Sequence, residues 1–363
     1  MRLAMRNFRS YAAAAVELGA GVTVVSGRNG AGKTNLLDAL YFGCTGRSAR
    51  TTNERELVRF GEQVVRVEVT TEAPDGLHEL SVGFTPGEPK RMMADGVRVE
   101  RLLDVPGRPL VSVFLPERLE LIKGTPSLRR AHVDQLVTAL WPARVTTRRA
   151  YAQALAQRNA LLARVRGGSA APASLSAWDR ELARHGIELM ADRRAAIAAV
   201  DEHFADRAAE LGLDGDPAVA YRPRSKAADA DELAAELAER HAQDLERGFT
   251  GHGPHRDDLL LSREGRELRA YGSQGQQRLG LLALLLAERE AIAATREATP
   301  VMLLDDVMSE LDRDRRERLV GLLRGRGQSV ITATDLEHVP GANEPDVTRL
   351  SVADGVLAGA GAS

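Results

Sequence analysis

Eight consecutive residues, Gly27-Arg28-Asn29-Gly30-Ala31-Gly32-Lys33-Thr34, have the types and spacing to hold a polyphosphate. Glycines at the first, fourth and sixth positions free the backbone to turn its N–H groups onto phosphate oxygens. The helix expected to follow adds its N-terminal dipole. Lys33 is then placed to reach the β- and γ-phosphates, and the Thr34 hydroxyl is a hard oxygen ligand for Mg²⁺. The ligand this chemistry calls for is ATP with Mg²⁺, contacted by all eight residues.

Such a loop needs an acid at the end of a neighbouring buried strand, and Met302-Leu303-Leu304-Asp305-Asp306 supplies one. The apolar run predicts the strand. Asp305 leaves its C-terminal end as the metal-side carboxylate, and Asp306 follows as the group that polarises the attacking water. Asp306 is one methylene shorter than the glutamate often used there. The expected catalytic set is Lys33, Asp305 and Asp306, with Thr34 and Asp305 as metal ligands.

A third group, Ser273-Gln274-Gly275-Gln276-Gln277, stands just before a strongly apolar helix. It resembles the signature of ABC-type ATPases, in which a serine and a glycine at a helix N-terminus contact the γ-phosphate. In that superfamily the signature completes the nucleotide site of a second subunit, and two ATPs join a two-fold dimer. The resemblance implies nucleotide contacts for Ser273, Gln274, Gly275 and Gln276, with Ser273, Gly275 and Gln276 at a dimer interface. Ser309-Glu310-Leu311-Asp312 resembles the D-loop of those ATPases, which adds Ser309 and Asp312 to the interface. Thr334 stands where they usually carry a histidine next to the γ-phosphate. A threonine cannot become a cation and contacts that phosphate less strongly. Between Leu110 and Glu120 there is no clear Q-loop glutamine. Both departures predict slow turnover.

The elements that must position these groups are legible in the pattern. Leu3, Met5 and Phe8 mark a first strand, Ala14 to Leu18 a weak second, and Val22 to Val25 a buried third. Lys33 to Tyr41 is a helix with Leu36, Leu37 and Leu40 on one face, so the phosphate loop lies between strand and helix. From 64 to 99 the chain alternates in strands and turns, with a hairpin at Ala94-Asp95-Gly96-Val97. Leu110 to Leu115 is a further buried strand. Ser127 to Leu213 is Ala-, Leu- and Arg-rich with helical periodicity and breaks near Gly167-Gly168-Ser169 and Pro172, which predicts two or three long helices. A strand near Val219 to Arg222, a helix over Asp231 to Arg247 and a hairpin over Leu259 to Ala270 come next. Then follow a helix from Gln274 to Ala294, a strand at Val301 to Leu304, a helix at Arg313 to Leu323, a strand at Ser329 to Thr332 and a hairpin over Val347 to Val356. The tail from Gly359 to Ser363 is expected to be disordered. The fold class is α/β: an ABC-type P-loop ATPase head, with a mixed sheet and an antiparallel β subdomain, carrying an inserted α-helical arm. The expected division is 1–115 for the N-terminal lobe, 116–245 for the arm and 246–363 for the C-terminal lobe.

The chain has 363 residues and a net charge of -2, which argues against a polyanion binder that uses its whole surface. Lysine occurs only at Lys33, Lys90, Lys123 and Lys226, so Lys33 is one of four in a chain whose positive charge is nearly all arginine. Cys44 is the only cysteine, which fits a reducing cytoplasm. No signal peptide is read at the N-terminus, and the longest apolar run, Leu279 to Ala287, is too short for a membrane span of ~20 residues.

Taken together, the chain resembles the RecF family of recombination mediators, relatives of the structural-maintenance-of-chromosomes (SMC) ATPases. The resemblance runs through Asn7-Phe8-Arg9, Gly30 to Leu37, Gly46-Arg47-Ser48, Arg129-Arg130 with Asp134, Gly253-Pro254-His255-Arg256-Asp257-Asp258, Ser273 to Arg278, and Leu303 to Asp306 with Ser309 to Asp312. It implies ATP-dependent dimerisation, binding to gapped duplex or single-strand/double-strand junctions, and work with RecR and RecO in loading RecA. It also implies a weak, DNA-stimulated ATPase that acts as a release timer. Arg47, Arg50, Arg129 and Arg130 are the expected DNA contacts; for Arg129-Arg130 a structural role is the alternative. Arg148-Arg149 and Arg193-Arg194 are further cation pairs on the arm. Aromatics interleaved with basic residues, the pattern that stacks unpaired bases, are absent, which favours readout of the duplex backbone. The block from Gly253 to Asp258 reads as a structural corner near the nucleotide. Two other readings remain: a nucleotide-gated SMC-like scaffold with negligible hydrolysis, and the ATPase subunit of an ABC transporter.

Overall fold

The structure is a computed structural model that describes residues 1–73, 76–296 and 298–359. The glycine- and alanine-rich tail lies outside these residues from position 360 on. In chain order the first elements are β1 (Arg2–Phe8), β2 (Tyr11–Glu17), β3 (Val22–Ser26), α1 (Lys33–Thr45), β4 (Val65–Ala73), β5 (Gly76–Phe84), β6 (Arg91–Ala94), β7 (Val97–Val99) and β8 (Val111–Phe114). The middle holds α2 (Glu120–Lys123), α3 (Pro126–Leu140), α4 (Val145–Arg166), α5 (Leu175–Glu210), β9 (Ala218–Arg222), α6 (Ala230–Ala238) and α7 (His241–Arg247). It continues with β10 (Asp258–Arg263), β11 (Arg266–Glu267), α8 (Leu268–Tyr271) and α9 (Gln274–Arg296). The last elements are β12 (Val301–Leu304), α10 (Arg313–Leu323), β13 (Ser329–Ala333), β14 (Thr348–Ala353) and β15 (Val356–Gly359).

These elements pack into two compact units: Met1–Arg118 with Glu210–Gly212 and Glu297–Ser363, and Leu119–Ala209 with Leu213–Arg296. The second unit therefore takes in residues 246–296, which the sequence division joins to a C-terminal lobe. The reason is topological. β10 pairs antiparallel with β9 from the middle of the chain, and α9 packs on α3.

The first unit holds two six-stranded sheets. In the order β2-β1-β4-β5-β6-β7 every pair is antiparallel. β4 shows why: Val65, Val67 and Val69 are buried while Arg66 is exposed, the alternation of a sheet with one wet face. In the second sheet, β15-β14-β3-β13-β12-β8, all neighbours run parallel except β14 and β15. Its central strands are apolar runs buried end to end, as parallel strands covered on both faces must be. Helix α1 touches strands of both sheets and is buried nearly all round through Leu36, Leu37, Leu40, Phe42 and Cys44.

The second unit is built on helices with a three-stranded sheet, β11-β10-β9. The break expected at 167–172 separates α4 from α5. The helix expected over 231–247 is instead two, α6 and α7. The apolar stripe of Leu233 and Leu237 would continue at 240, 241 and 244, which are Arg, His and Asp, so the helix ends where its buried face runs out. The second piece points Asp244 at Arg158 instead, 2.7 Å away in a fully buried pair.

Candidate functional site

Parallel pairing of β3, β13 and β12 brings their C-terminal ends to one edge of the sheet, where ligands of open α/β folds sit. The register aligns Leu304 with Ile331 and Ile331 with Val24, so the residues after these strands emerge side by side. Three groups chosen from sequence meet there: the phosphate loop, Asp305-Asp306 and Thr334.

The loop leaves β3 with Gly27 donating its N–H to the Ala333 carbonyl, 3.3 Å. A Cβ at Gly27 would collide with the Val352 carbonyl of β14, so no larger residue fits. Gly32 has a φ of 117°, and a Cβ there would sit 3.0 Å from Ser10 Oγ and 3.1 Å from Tyr11 Oη. The Tyr11 hydroxyl donates to the Gly32 carbonyl at 3.0 Å and fixes the last turn before α1. Arg28, Asn29 and Gly30 remain exposed while Ala31, Gly32 and Lys33 are buried. Lys33 Nζ donates to the Gly27 carbonyl at 2.6 Å and the Arg28 carbonyl at 3.1 Å, which holds the ammonium over the loop.

Asp305 is buried, and its two oxygens are held differently. The Thr34 hydroxyl donates to Oδ2 at 2.8 Å, and the Thr332 hydroxyl donates to Oδ1 at 2.7 Å. Burial pushes the carboxyl above its ordinary range, against the lowering by the two threonines. The neighbouring charges act in both directions, Asp306 raising it and Arg50 lowering it. The Thr34 hydroxyl and the Asp305 carboxylate thus form a close pair of hard oxygen donors, a set that suits a divalent cation. Asp306 lies in the left-handed region with φ 47°, a conformation that costs about 1–3 kcal/mol in a non-glycine residue. Its N–H donates to Thr332 Oγ1 at 2.9 Å, and its carboxylate makes no hydrogen bond among the described residues. Thr334 Oγ1 lies 3.2 Å from His338 Nδ1, so an imidazole is present four residues beyond the place where the sequence lacked one.

Two residues not singled out from the sequence support this edge. Thr332 links Asp305 to the Asp306 backbone; its signal was a hydroxyl after the apolar pair Val330-Ile331 in a buried strand. Asp38 is a buried carboxylate on α1 that accepts from Arg9 Nε and Nη2 (3.0 and 2.9 Å), from Ser48 Oγ (2.8 Å) and from the Ala49 N–H (2.9 Å). It ties Asn7-Phe8-Arg9 to Gly46-Arg47-Ser48, two pieces noticed separately in the sequence.

The signature segment is in the second unit. Ser273, Gln274 and Gly275 are exposed at the start of α9. Ser273 and Gln276 form a capping box: the Ser273 N–H donates to Gln276 Oε1 (2.8 Å) and the Gln276 N–H to Ser273 Oγ (3.3 Å). In the first unit Ser309 is exposed and donates to the Asp306 carbonyl at 2.8 Å, while exposed Asp312 caps α10 through the Arg315 N–H at 2.9 Å.

The arginines chosen as DNA contacts divide. Arg47 and Arg50 are exposed. Arg129 is 2% exposed. Its Nε and Nη2 donate to the two Asp258 oxygens (2.6 and 2.9 Å), and its Nη1 donates to the Gly124 carbonyl (2.8 Å). It is a buried structural cation, not a surface contact, because α3 turns that face onto β10. Arg130 is half-buried and donates to the Asp257 carbonyl at 2.8 Å. Arg193 is likewise buried, between Asp134 and the Pro254 carbonyl, both at 2.7 Å.

Comparison with known proteins bears on this geometry. A family model described as an AAA domain matches residues 2–91. The DNA replication and repair protein RecF of Myxococcus xanthus is 39% identical over 369 residues, covering 99% of this chain and 96% of the relative. The chain belongs to the RecF family. RecF of Streptomyces avermitilis is also 39% identical, over 98% of each chain. Among solved structures, that of the recombination mediator protein RecF with ATP, in the RecFOR pathway, superposes with a TM-score of 0.87 at 28% identity, covering 99% of this chain and 96% of that one. An SMC head bound to the C-terminal winged-helix domain of ScpA has a TM-score of 0.60 at 17% identity, covering 99% and 95%. RecF membership and the SMC-like architecture give the fold class expected from the sequence, an ABC-type ATPase head. They also leave the transporter reading without support. No helix among the described residues is long and apolar enough to cross a membrane.

Proposed function

We propose that this chain is an ATP-gated DNA clamp of recombinational repair. ATP binds on Gly27 to Thr34, with Lys33 at its terminal phosphates. Thr34 and Asp305 are the residues that would hold Mg²⁺, which supplies charge neutralisation at the phosphates when bound. Two copies then pair, with Ser273 to Gln276, Ser309 and Asp312 at the joint, and the pair closes on gapped duplex or a single-strand/double-strand junction. Thr334 faces the same nucleotide edge. RecR and RecO are the expected partners in loading RecA. Hydrolysis is slow and resets the clamp. Asp306 accepts a proton from the attacking water, the new P–O bond forms at the γ-phosphorus, and the bond to ADP breaks. The Asp306 backbone is in the αL region at the strand end, and its carboxylate has no hydrogen-bond partner among the described residues, as a proton acceptor requires.

The observation that carries this reading is the 2.8 Å bond between Thr34 and Asp305, residues 271 apart in sequence. Support comes from the family and from the relative described with ATP. Sedimentation with ATP and with ADP, alone and with gapped duplex, tests gating, dimerisation and DNA choice together. Lys33→Met is expected to lose both ATP-dependent pairing and tight binding to gapped DNA. A variant that dimerises with ATP and binds gapped DNA normally defeats the proposal.

A further inference from the structure

Phe60 is 102% exposed, more than any other large apolar side chain among the described residues. Single exposed apolar residues are common and need no explanation. This one is mounted rigidly. Arg59-Phe60-Gly61-Glu62 is a tight turn closed by the Glu62 N–H on the Arg59 carbonyl at 2.9 Å, with Gly61 at φ 85° in the third position of a type II turn. Asn7 pins both flanks: its carbonyl accepts from the Arg59 N–H at 2.9 Å, and its Nδ2 donates to Glu62 Oε2 at 3.1 Å. Just before the turn, Val58 bridges to Phe8, and the Leu57 carbonyl accepts from the Arg9 N–H at 2.8 Å. The ring itself stands in water.

The chain leading into the turn is rich in arginine. Arg47, Arg50, Arg55 and Arg59 fall within thirteen residues, and none forms an ion pair among the described residues; Arg50 donates only to Asn35 Oδ1 at 3.3 Å. The acids of the same segment have other hydrogen-bond partners, although Glu56 and Glu62 keep their charge against neutral amides. Glu54 pairs with Lys90, Glu56 accepts from Asn53 at 3.1 Å, and Glu62 accepts from Asn7. An exposed aromatic ring on an arginine-rich segment is a combination that grips an unpaired nucleotide, with the ring taking the base and guanidinium groups its phosphates. A protein partner fits less well. Apart from Val64 the segment offers no other exposed large apolar group to exclude water around a central anchor.

We infer that Phe60 stacks on the first unpaired base of a gapped or junction DNA, with Arg47, Arg50, Arg55 and Arg59 on the adjoining phosphates. This rests on reading the chain as a DNA-binding ATPase and assigns the group that recognises the unpaired position. It also links that position to the phosphate loop. Arg9, which fixes Leu57, is paired at 2.9 Å with Asp38 on α1, the helix that begins at Lys33.

The test uses the full chain with ATP, a gapped duplex carrying 2-aminopurine at the first unpaired position, and a blunt duplex of equal length. Phe60→Ala is expected to weaken binding to gapped DNA about tenfold or more and to abolish the change in 2-aminopurine fluorescence. Blunt-duplex affinity stays within about twofold, because its paired bases are stacked within the helix and only the phosphate contacts, which Phe60→Ala leaves in place, hold it. Phe60→Trp restores both signals. The thermal unfolding midpoint is unchanged by Phe60→Ala, since the ring packs on nothing. Equal affinity of wild type and Phe60→Ala for gapped DNA overturns the inference. So does an equal loss on both DNAs, or a loss of self-association with DNA binding intact. If the wild type with ATP binds neither DNA, the DNA-binding reading itself fails, and the inference falls with it.

Discussion

Two polar clusters, one at the phosphate-loop edge in the first unit and one at the Gly253–Asp258 corner in the second, are built from the same kinds of residue and do opposite things. In the corner every buried charge is answered. Asp257 accepts from the Tyr221 hydroxyl, from the Arg224 N–H at 2.6 Å and from Arg193 at 3.4 Å. Burial still pushes its carboxyl above the ordinary range, against those donors. His255 lies between Tyr151 (2.7 Å) and the Thr250 carbonyl (2.9 Å). At the loop, Asp306 keeps a free carboxylate in a strained backbone, and Lys33 holds carbonyls of its own loop that a phosphate can replace. A satisfied network specifies a shape, whereas an incompletely satisfied one is ready for a ligand.

The comparison is tested most severely at Asp306. Asp306→Asn is expected to cut ATP turnover by about 10²–10⁴-fold, the range of general-base contributions, and to leave nucleotide affinity within a few-fold. Phosphate release measured beside a fluorescent-nucleotide titration separates the two. Turnover at the wild-type rate would move the base elsewhere.

The corner should give the reverse result. Arg193 lies between Asp134, Asp257 and the Pro254 carbonyl, so Arg193→Ala leaves buried carboxylates without their cation. That costs about 3–5 kcal/mol of stability, read by urea unfolding. The folded fraction should still bind ATP. A loss of nucleotide binding with stability intact would show that the corner is part of the site and not a scaffold.

What the sequence revealed follows the same division. The phosphate loop was legible because its chemistry is fixed by local spacing: glycines at set intervals between an apolar strand and a helix. Asp305 was legible because a buried strand must end where its apolar run ends. For Arg129 the choice between DNA contact and structural role stayed open, and Arg193 was only one of a cation pair, since a charged helix position gives no sign of its own exposure. Only the pairing of β10 with β9 and the packing of α3 decide it. Asp38 and Thr332 were missed because their partners lie many residues away or depend on strand register, and His338 because it stands four residues beyond Thr334, the position at which a histidine was sought. Phe60 was passed over because a lone aromatic gives no sign of its own exposure, and the turn that presents it is anchored by Asn7, over fifty residues earlier.

The smallest expected effect concerns His255. Burial, helped by the charges of Arg256 and Arg130, pushes its pKa down to about 4, although Thr250 and Asp244 act to raise it. The neutral ring fits its partners, with Nε2–H donating to Thr250 and Nδ1 accepting from Tyr151. In the unfolded chain the same imidazole titrates near ~6.5. Between these values the unfolded state binds a proton that the folded state does not, so stability rises with pH in this window. It is present in full above about pH 6.5 and falls as the pH drops toward 4, by about 3 kcal/mol in all. Trp141 and Trp178 are the only tryptophans, and both lie in the second unit, so their fluorescence reports the unfolding of that unit alone. Urea midpoints taken from pH 7.5 to 4.5 should fall steeply for the wild type. The slope should be shallower for His255→Gln, whose amide takes no proton, even though its midpoint at pH 7.5 is lower. Parallel slopes would mean that the fall comes from groups other than His255, and Asp257 is not one of them, since a carboxyl raised by burial favours the folded state as the pH drops.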